Sequence, residues 1–87
     1  MAMDKKGLTK LVEECAELSQ IAAKKMAYLD VNIHPDGNNM KDKLEEEIAD
    51  VLASISFVIN KFELNSEFIE TRKKIKISKY EKWDTEL

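Results

Sequence analysis

The spacing of apolar residues is the feature that most constrains the fold of this chain. Apolar side chains recur every three or four residues in two long segments, which is the period of an α-helix that buries one face. The first segment contains Leu8, Leu11, Val12, Cys15, Leu18, Ala22, Met26 and Leu29. The second contains Leu44, Ile48, Val51, Leu52, Ile55, Val58, Ile59 and Phe62. The pattern predicts one helix over about 7–30 and another over about 40–63.

Turn-forming residues separate these segments. The stretch 31–39 holds the single Pro, the second Gly and three Asn, which favour turns, so it is predicted to be a loop with Asn38 or Asn39 as the N-cap of the following helix. A second break offers Asn65 or Ser66 as the cap of a third helix over about 66–83. Two long helices joined by a short loop are expected to pack antiparallel.

The length of the chain bounds its stability. With 87 residues, 36% of them charged, and only two Gly, it is expected to be one helical domain over 1–87. A chain this short removes only about 60% of its unfolded surface from water. We therefore expect an all-α antiparallel bundle of about three helices per chain, completed by oligomerisation as a homodimer or homotetramer. Neighbouring subunits would complete the core and the substrate pocket.

Composition also limits the compartment and the partners. The single cysteine, Cys15, cannot form an internal disulfide, which favours a reducing compartment. The sequence has no apolar run of about 18 residues and no signal-peptide pattern, so a cytoplasmic location without membrane association is expected. A net charge of -3 argues against nucleic-acid binding, although the basic stretch 72–79 keeps that alternative open.

Two pairs of acidic residues border the apolar stripes. Glu14 and Glu17 are three residues apart, as are Glu47 and Asp50, so each pair projects from one face of its helix. Carboxylates this close repel each other unless they are solvated or a cation neutralises them. Oxygen ligands without a neighbouring histidine suit Mg²⁺ or Mn²⁺, and Mg²⁺ commonly shares its coordination shell with substrate phosphates. The alternative is a non-catalytic interaction module whose acids are solvated surface charge.

The acidic segments resemble a known family. Glu13-Glu14-Cys15-Ala16-Glu17-Leu18 and Glu46-Glu47-Ile48-Ala49-Asp50-Val51-Leu52 are similar to the E-x-x-E and E-x-x-D signature of the MazG-like nucleoside triphosphate pyrophosphohydrolases, over about residues 8–80. The resemblance implies Mg²⁺-dependent hydrolysis of a nucleoside triphosphate, with a dNTP preferred, to the monophosphate and pyrophosphate, in nucleotide-pool cleaning. The metal ligands implied are Glu14, Glu17, Glu47 and Asp50. The water-orienting catalytic residues implied are Glu13 and Glu46.

The third predicted helix carries the cations that such a site would need. Arg72, Lys76 and Lys79 fall on one helical stripe and are candidates to hold the β and γ phosphates of the substrate. Relatives often carry Lys and Asn where this chain has Arg72 and Lys76, so the pattern leaves the recognised base and sugar open. A basic outer face that complements the helix dipole is the structural alternative for these residues.

Overall fold

The computed structural model describes residues 5–28 and 39–86, and within these ranges the chain forms three α-helices. They are α1 (Lys6–Ala27), α2 (Met40–Lys61) and α3 (Ser66–Asp84). The chain is therefore all-α. None of the helices in the described ranges is both long enough and apolar enough to cross a membrane. Residues 31–38 of the predicted loop 31–39, and the predicted continuation of the first helix over 29–30, lie outside the described residues.

Asparagine side chains cap the N-termini of two of the helices. The Oδ1 atom of Asn39 accepts a hydrogen bond from the backbone N–H of Asp42 at 3.0 Å, and Asn65 Oδ1 accepts one from the N–H of Phe68 at 2.9 Å. Each bond satisfies a donor that the first helical turn leaves without a partner. The sequence pattern had offered two candidate caps for each helix, and the structure selects Asn39 and Asn65.

Two helices end earlier than the apolar spacing predicts. The backbone leaves the helical conformation at Tyr28, where φ is -129°, so α1 ends at Ala27. At the end of α2, Glu63 adopts a left-handed conformation with φ of 51°. The N–H of Leu64 then donates to the carbonyl of Ile59 at 3.0 Å, which closes the helix end. Glycine is the usual residue at such a position, so a glutamate there is no sequence signal for the end of a helix.

The first two helices pack against each other in antiparallel fashion. Gly7, near the start of α1, lies beside Phe57 and Val58, near the end of α2. A Cβ atom on Gly7 would lie 3.2 Å from Cε2 of Phe57, so glycine allows the aromatic ring to approach the α1 backbone. The buried apolar side chains of this helix pair are Ile21, Met40, Val51 and Val58. They form a thin core between two helices.

A second apolar stripe on the helix pair remains exposed. At about 100° per residue, Ile48 and Leu52 lie roughly a quarter-turn around α2 from the buried stripe, on the opposite side from Asp50. Leu8 and Val12 occupy the corresponding side of α1, and all four side chains are exposed. Because the helices are antiparallel, the two exposed stripes face the same way. The helix pair therefore has one apolar outer face, formed by these four residues, and one acidic outer face.

Helix α3 extends away from the pair. It contributes no buried residue and makes only marginal contact with the described parts of α1 and α2. The radius of gyration is 16.1 Å, whereas a compact chain of this length is expected to have about 12 Å. Apolar side chains on α3, including Phe68 and Trp83, are largely exposed. A single chain thus supplies two layers of a bundle and leaves its third helix unpacked.

The left-handed conformation of Glu63 generates a prediction about stability. A non-glycine residue in this conformation costs about 1 kcal/mol, so replacing Glu63 with Gly should raise the free energy of unfolding by roughly that amount. Urea denaturation monitored by circular dichroism measures the change. Glu63→Ala is the matched control, because it removes the same charge and keeps the Cβ atom, and it should give no comparable gain. A destabilised Glu63→Gly variant would contradict this account of the turn.

Candidate metal centre

Three carboxylates from α1 and α2 meet on the acidic face of the helix pair. One oxygen atom each of Glu14, Glu47 and Asp50 lies within 4.8 Å of the other two. The antiparallel register explains the meeting: Gly7 faces Phe57, and Glu14 and Asp50 each lie seven residues, or about two helical turns, from these positions. The helix contact that buries the core therefore also assembles the acidic cluster, which we define as these three carboxylates.

Two oxygen atoms of the cluster are buried without a partner. Oε2 of Glu14 and Oε2 of Glu47 are excluded from solvent and accept no hydrogen bond from any of the described residues. Glu47 as a whole is only 6% exposed, and its Oε1 lies 3.7 Å from Nζ of Lys43. Leaving a buried charged acceptor unsatisfied is costly. The alternative interpretation, in which the acidic residues are solvated surface charge, therefore does not apply to Glu47.

Burial and mutual repulsion change the acid–base behaviour of the cluster. The pKa of Glu14 is raised by burial and then by the negative charges of Glu17, Asp50 and Glu47. The pKa of Glu47 is raised by burial and by Glu17, Asp50 and Glu46, against the opposing effect of Lys43. In both side chains, burial and the neighbouring negative charges outweigh the opposing effect of a nearby lysine, Lys10 for Glu14 and Lys43 for Glu47.

The donor chemistry of the cluster fits a hard divalent cation. Carboxylate oxygens are the ligands that Mg²⁺ and Mn²⁺ prefer, and a cation among them would satisfy the two unpartnered oxygens. The structure thus brings together three of the four ligands expected from the sequence. Glu17, the fourth, is exposed and is not among the three atoms that meet, although its charge acts on both Glu14 and Glu47. Glu17 lies at the margin of the cluster.

The two predicted catalytic acids lie on the exposed rim. Glu13 Oε2 pairs with Lys10 Nζ at 3.1 Å, and Glu46 Oε1 lies 3.7 Å from Lys43 Nζ. Both side chains are more than half exposed, so these ion pairs are weak and exchange readily with water. Glu13 directly precedes Glu14, and Glu46 directly precedes Glu47, but neither is one of the three members of the cluster.

The predicted phosphate ligands all lie on α3. Lys76 Nζ sits over the ring of Tyr80 at 5.2 Å from its centroid, and Arg72 and Lys79 are exposed. Because α3 packs only marginally against the described parts of α1 and α2, a single chain does not seat these cations on the acidic cluster.

Several residues that the sequence pattern did not single out also border the cluster. A groove of about 480 Å³ runs from Glu14 and Asp50 past Lys10 to Phe57, and its lining also includes Lys6, Ala53 and Ser54. Phe57 was missed because it falls outside the apolar stripe of α2. The available signal was its position seven residues after Asp50, which places it two turns along the same side of the helix.

The raised pKa values predict how stability depends on pH. A carboxyl group whose pKa is higher in the folded than in the unfolded state penalises folding once it ionises, so the penalty grows as pH rises from the ordinary glutamate pKa of 4.5 through the raised pKa. In metal-free buffer, Glu47→Gln should therefore melt at a higher temperature than the parent at neutral pH, and this advantage should shrink as the solution is acidified. Glu45→Gln, an exposed neighbour, is the control. Parallel pH profiles for all three proteins would contradict the assignment.

Comparison with known proteins supplies the family. No curated protein and no solved structure matches the chain. The family model described as the MazG nucleotide pyrophosphohydrolase domain matches residues 4–81. This range includes all three residues of the acidic cluster and nearly all of the three helices. The chain belongs to the MazG nucleotide pyrophosphohydrolase domain family.

Proposed function

We propose that the chain hydrolyses a nucleoside triphosphate, with a deoxyribonucleotide preferred, to the monophosphate and pyrophosphate in a Mg²⁺-dependent reaction that removes unwanted nucleotides from the pool. The family supports nucleotide pyrophosphohydrolase activity. The observation that carries the proposal is the meeting of Glu14, Glu47 and Asp50 oxygens within 4.8 Å, two of these side chains having a buried oxygen without a partner.

In this proposal Glu14, Glu47 and Asp50 hold the metal, and Glu17 completes the set from the margin of the cluster. Mg²⁺, or Mn²⁺ in its place, would neutralise charge on the phosphates and lower the pKa of a bound water. The buried position of Glu47 keeps its carboxylate at a fixed place on α2, which favours a defined coordination geometry.

Glu13 and Glu46 are proposed to orient the attacking water and to accept its proton. Both acids sit beside cluster residues in sequence, and each is held only by an exposed ion pair with a lysine. Weak pairing leaves their carboxylates free to turn toward a substrate. General-base catalysis needs such a group within hydrogen-bond reach of the water in the substrate complex.

Arg72, Lys76 and Lys79 are proposed to bind the β and γ phosphates. Their positive charges suit the phosphate groups, and, within residues 5–28 and 39–86, α3 has no buried residue that would hold them elsewhere. Because α3 makes only marginal contact with the described parts of its own helix pair, we propose that it delivers these cations to the acidic cluster of a neighbouring copy.

The proposed assembly is a homodimer or homotetramer. The apolar outer face, with Val12 69% exposed and Leu52 58% exposed, is the surface that a second copy would cover. Soluble monomers rarely expose a contiguous apolar stripe of this kind, and a second helix pair packed on it would complete a four-helix bundle. The large radius of gyration supports the same conclusion.

The catalytic proposal predicts metal-dependent release of pyrophosphate. A panel of NTPs and dNTPs incubated with Mg²⁺ or Mn²⁺ should yield the monophosphate and pyrophosphate, and EDTA should abolish the reaction. Glu47→Gln and Asp50→Asn should each reduce the rate at least about 100-fold, since even residues that only support metal ligands are worth 10- to 100-fold. Glu45→Gln should retain activity. Full turnover in EDTA or in either cluster variant would refute the site.

The assembly proposal predicts that a charge on the apolar outer face separates the subunits. Sedimentation velocity of the parent should give a mass two or four times that of the 10.0 kDa chain. Leu52→Glu should shift the population toward the single chain, because a buried unpaired carboxylate is strongly unfavourable at an interface. Asn60→Glu, which adds the same charge on the polar side of α2, should leave the mass unchanged. A parent that sediments as a single chain would overturn the assembly.

A further inference from the structure

The groove beside the acidic cluster has two chemically different ends. One end is formed by Glu14, Asp50 and the cation of Lys10, and the other by the ring of Phe57. Phe57 lies seven residues after Asp50 on α2, so the two ends are separated by about 10 Å along the helix axis. The groove thus offers carboxylates at one end and an aromatic ring at the other, with the lysine side chains of Lys10 and Lys6 also in its lining.

Small side chains leave the space between the two ends open. Ala53 and Ser54 line the groove between Asp50 and Phe57. The Ser54 hydroxyl donates to the carbonyl of Val51 at 2.8 Å, so its proton is already committed to the helix backbone. The middle of the groove is therefore lined by the methyl group of Ala53 and the hydroxyl oxygen of Ser54. These small groups do not obstruct a bound molecule.

The ring of Phe57 is held in place and yet remains accessible. Its edge lies against Gly7, where a Cβ atom would come within 3.2 Å of Cε2. Lys61 Nζ lies over the ring, 5.6 Å from its centroid, and so occupies one of its two faces. The residue is nevertheless 53% exposed. Phe57 also lies off the line of Val51 and Val58 that forms the core. Packing against α1 holds the ring in position, and the ring stays accessible because Phe57 is not part of the core.

We propose that this groove binds the nucleoside part of the substrate, with the ring of Phe57 as the surface on which the base stacks and Lys10 as a contact for a phosphate group near the acidic cluster. The inference rests on the proposed function, because it takes a nucleotide as the ligand. Stacking on an aromatic side chain is available to every base. Phe57 therefore contributes affinity for nucleosides in general, and selection among bases falls to other contacts.

The test compares two ligands that share the phosphate chain. Binding of an α,β-methylene nucleoside triphosphate, which resists cleavage between the α and β phosphates, is measured by isothermal titration calorimetry with Mg²⁺ present. Inorganic tripolyphosphate, which lacks the nucleoside, is titrated in parallel. Phe57→Leu keeps an apolar side chain against Gly7 and removes the ring, so it should weaken nucleotide binding about tenfold and leave tripolyphosphate binding unchanged.

Four further variants separate the contributions of the ring, the open groove and the lysine. Phe57→Tyr retains the ring and should keep nucleotide affinity, whereas Ala53→Leu fills the groove and should weaken it without touching the core. Lys10→Gln should weaken both ligands, and Lys10→Arg should restore them. Sedimentation velocity on each variant tests the competing occupant of the groove, a second copy of this chain.

The outcomes separate this inference from the function on which it rests. If the parent protein binds the nucleotide and Phe57→Leu and Ala53→Leu bind it equally well, the groove is not the nucleoside site, while the proposed function stands. A shift in assembly without a change in nucleotide affinity likewise overturns the inference, because the groove then belongs to a subunit contact. A parent protein that binds no nucleotide overturns both.

Discussion

The antiparallel contact between α1 and α2 is the constraint on which the rest of the molecule depends. It buries Ile21, Met40, Val51 and Val58, and the same register brings Glu14 opposite Glu47 and Asp50. Apolar burial thus holds together carboxylates that would otherwise separate. The apolar contact that stabilises the helix pair and the repulsion between the carboxylates lie at the same interface. The carboxylates stay close only because the apolar contact outweighs their repulsion.

The helices were predictable from local signals, and their ends were not. Three- and four-residue spacing and the capping residues Asn39 and Asn65 identify where helices lie and where two of them start, because these signals act within one helical turn. The stops at Tyr28 and Glu63 depend on backbone conformations that carry no Gly or Pro signature. Spacing alone therefore extended both helices by two or three residues.

The sequence predicts that carboxylates of α1 and α2 meet, but it only partly predicts which carboxylates these are. Spacing places Glu14 with Glu17 and Glu47 with Asp50, yet which carboxylates meet depends on the rotation and register of α1 against α2. The observed register selects Glu14 and leaves Glu17 at the margin. Phe57 illustrates the same limit: its spacing from Asp50 places it on the same side of α2, but its position beside Lys10 depends on how α2 packs against Gly7 of α1. The exposed position of α3 is likewise invisible to a pattern that records apolar residues without their partners.

The unpartnered oxygens of Glu14 and Glu47 have a consequence for the lifetime of the protein in a cell. A cation that binds the folded chain and not the unfolded chain stabilises it by about 2.7 kcal/mol when its free concentration is 100 times its dissociation constant. In a chain with so thin a core, such an increment changes the unfolded fraction that proteases can attack by about 100-fold. Under the proposed metal dependence, starvation for the metal would lower the amount of this protein as well as its activity, because degradation would remove the chains whose carboxylates repel each other.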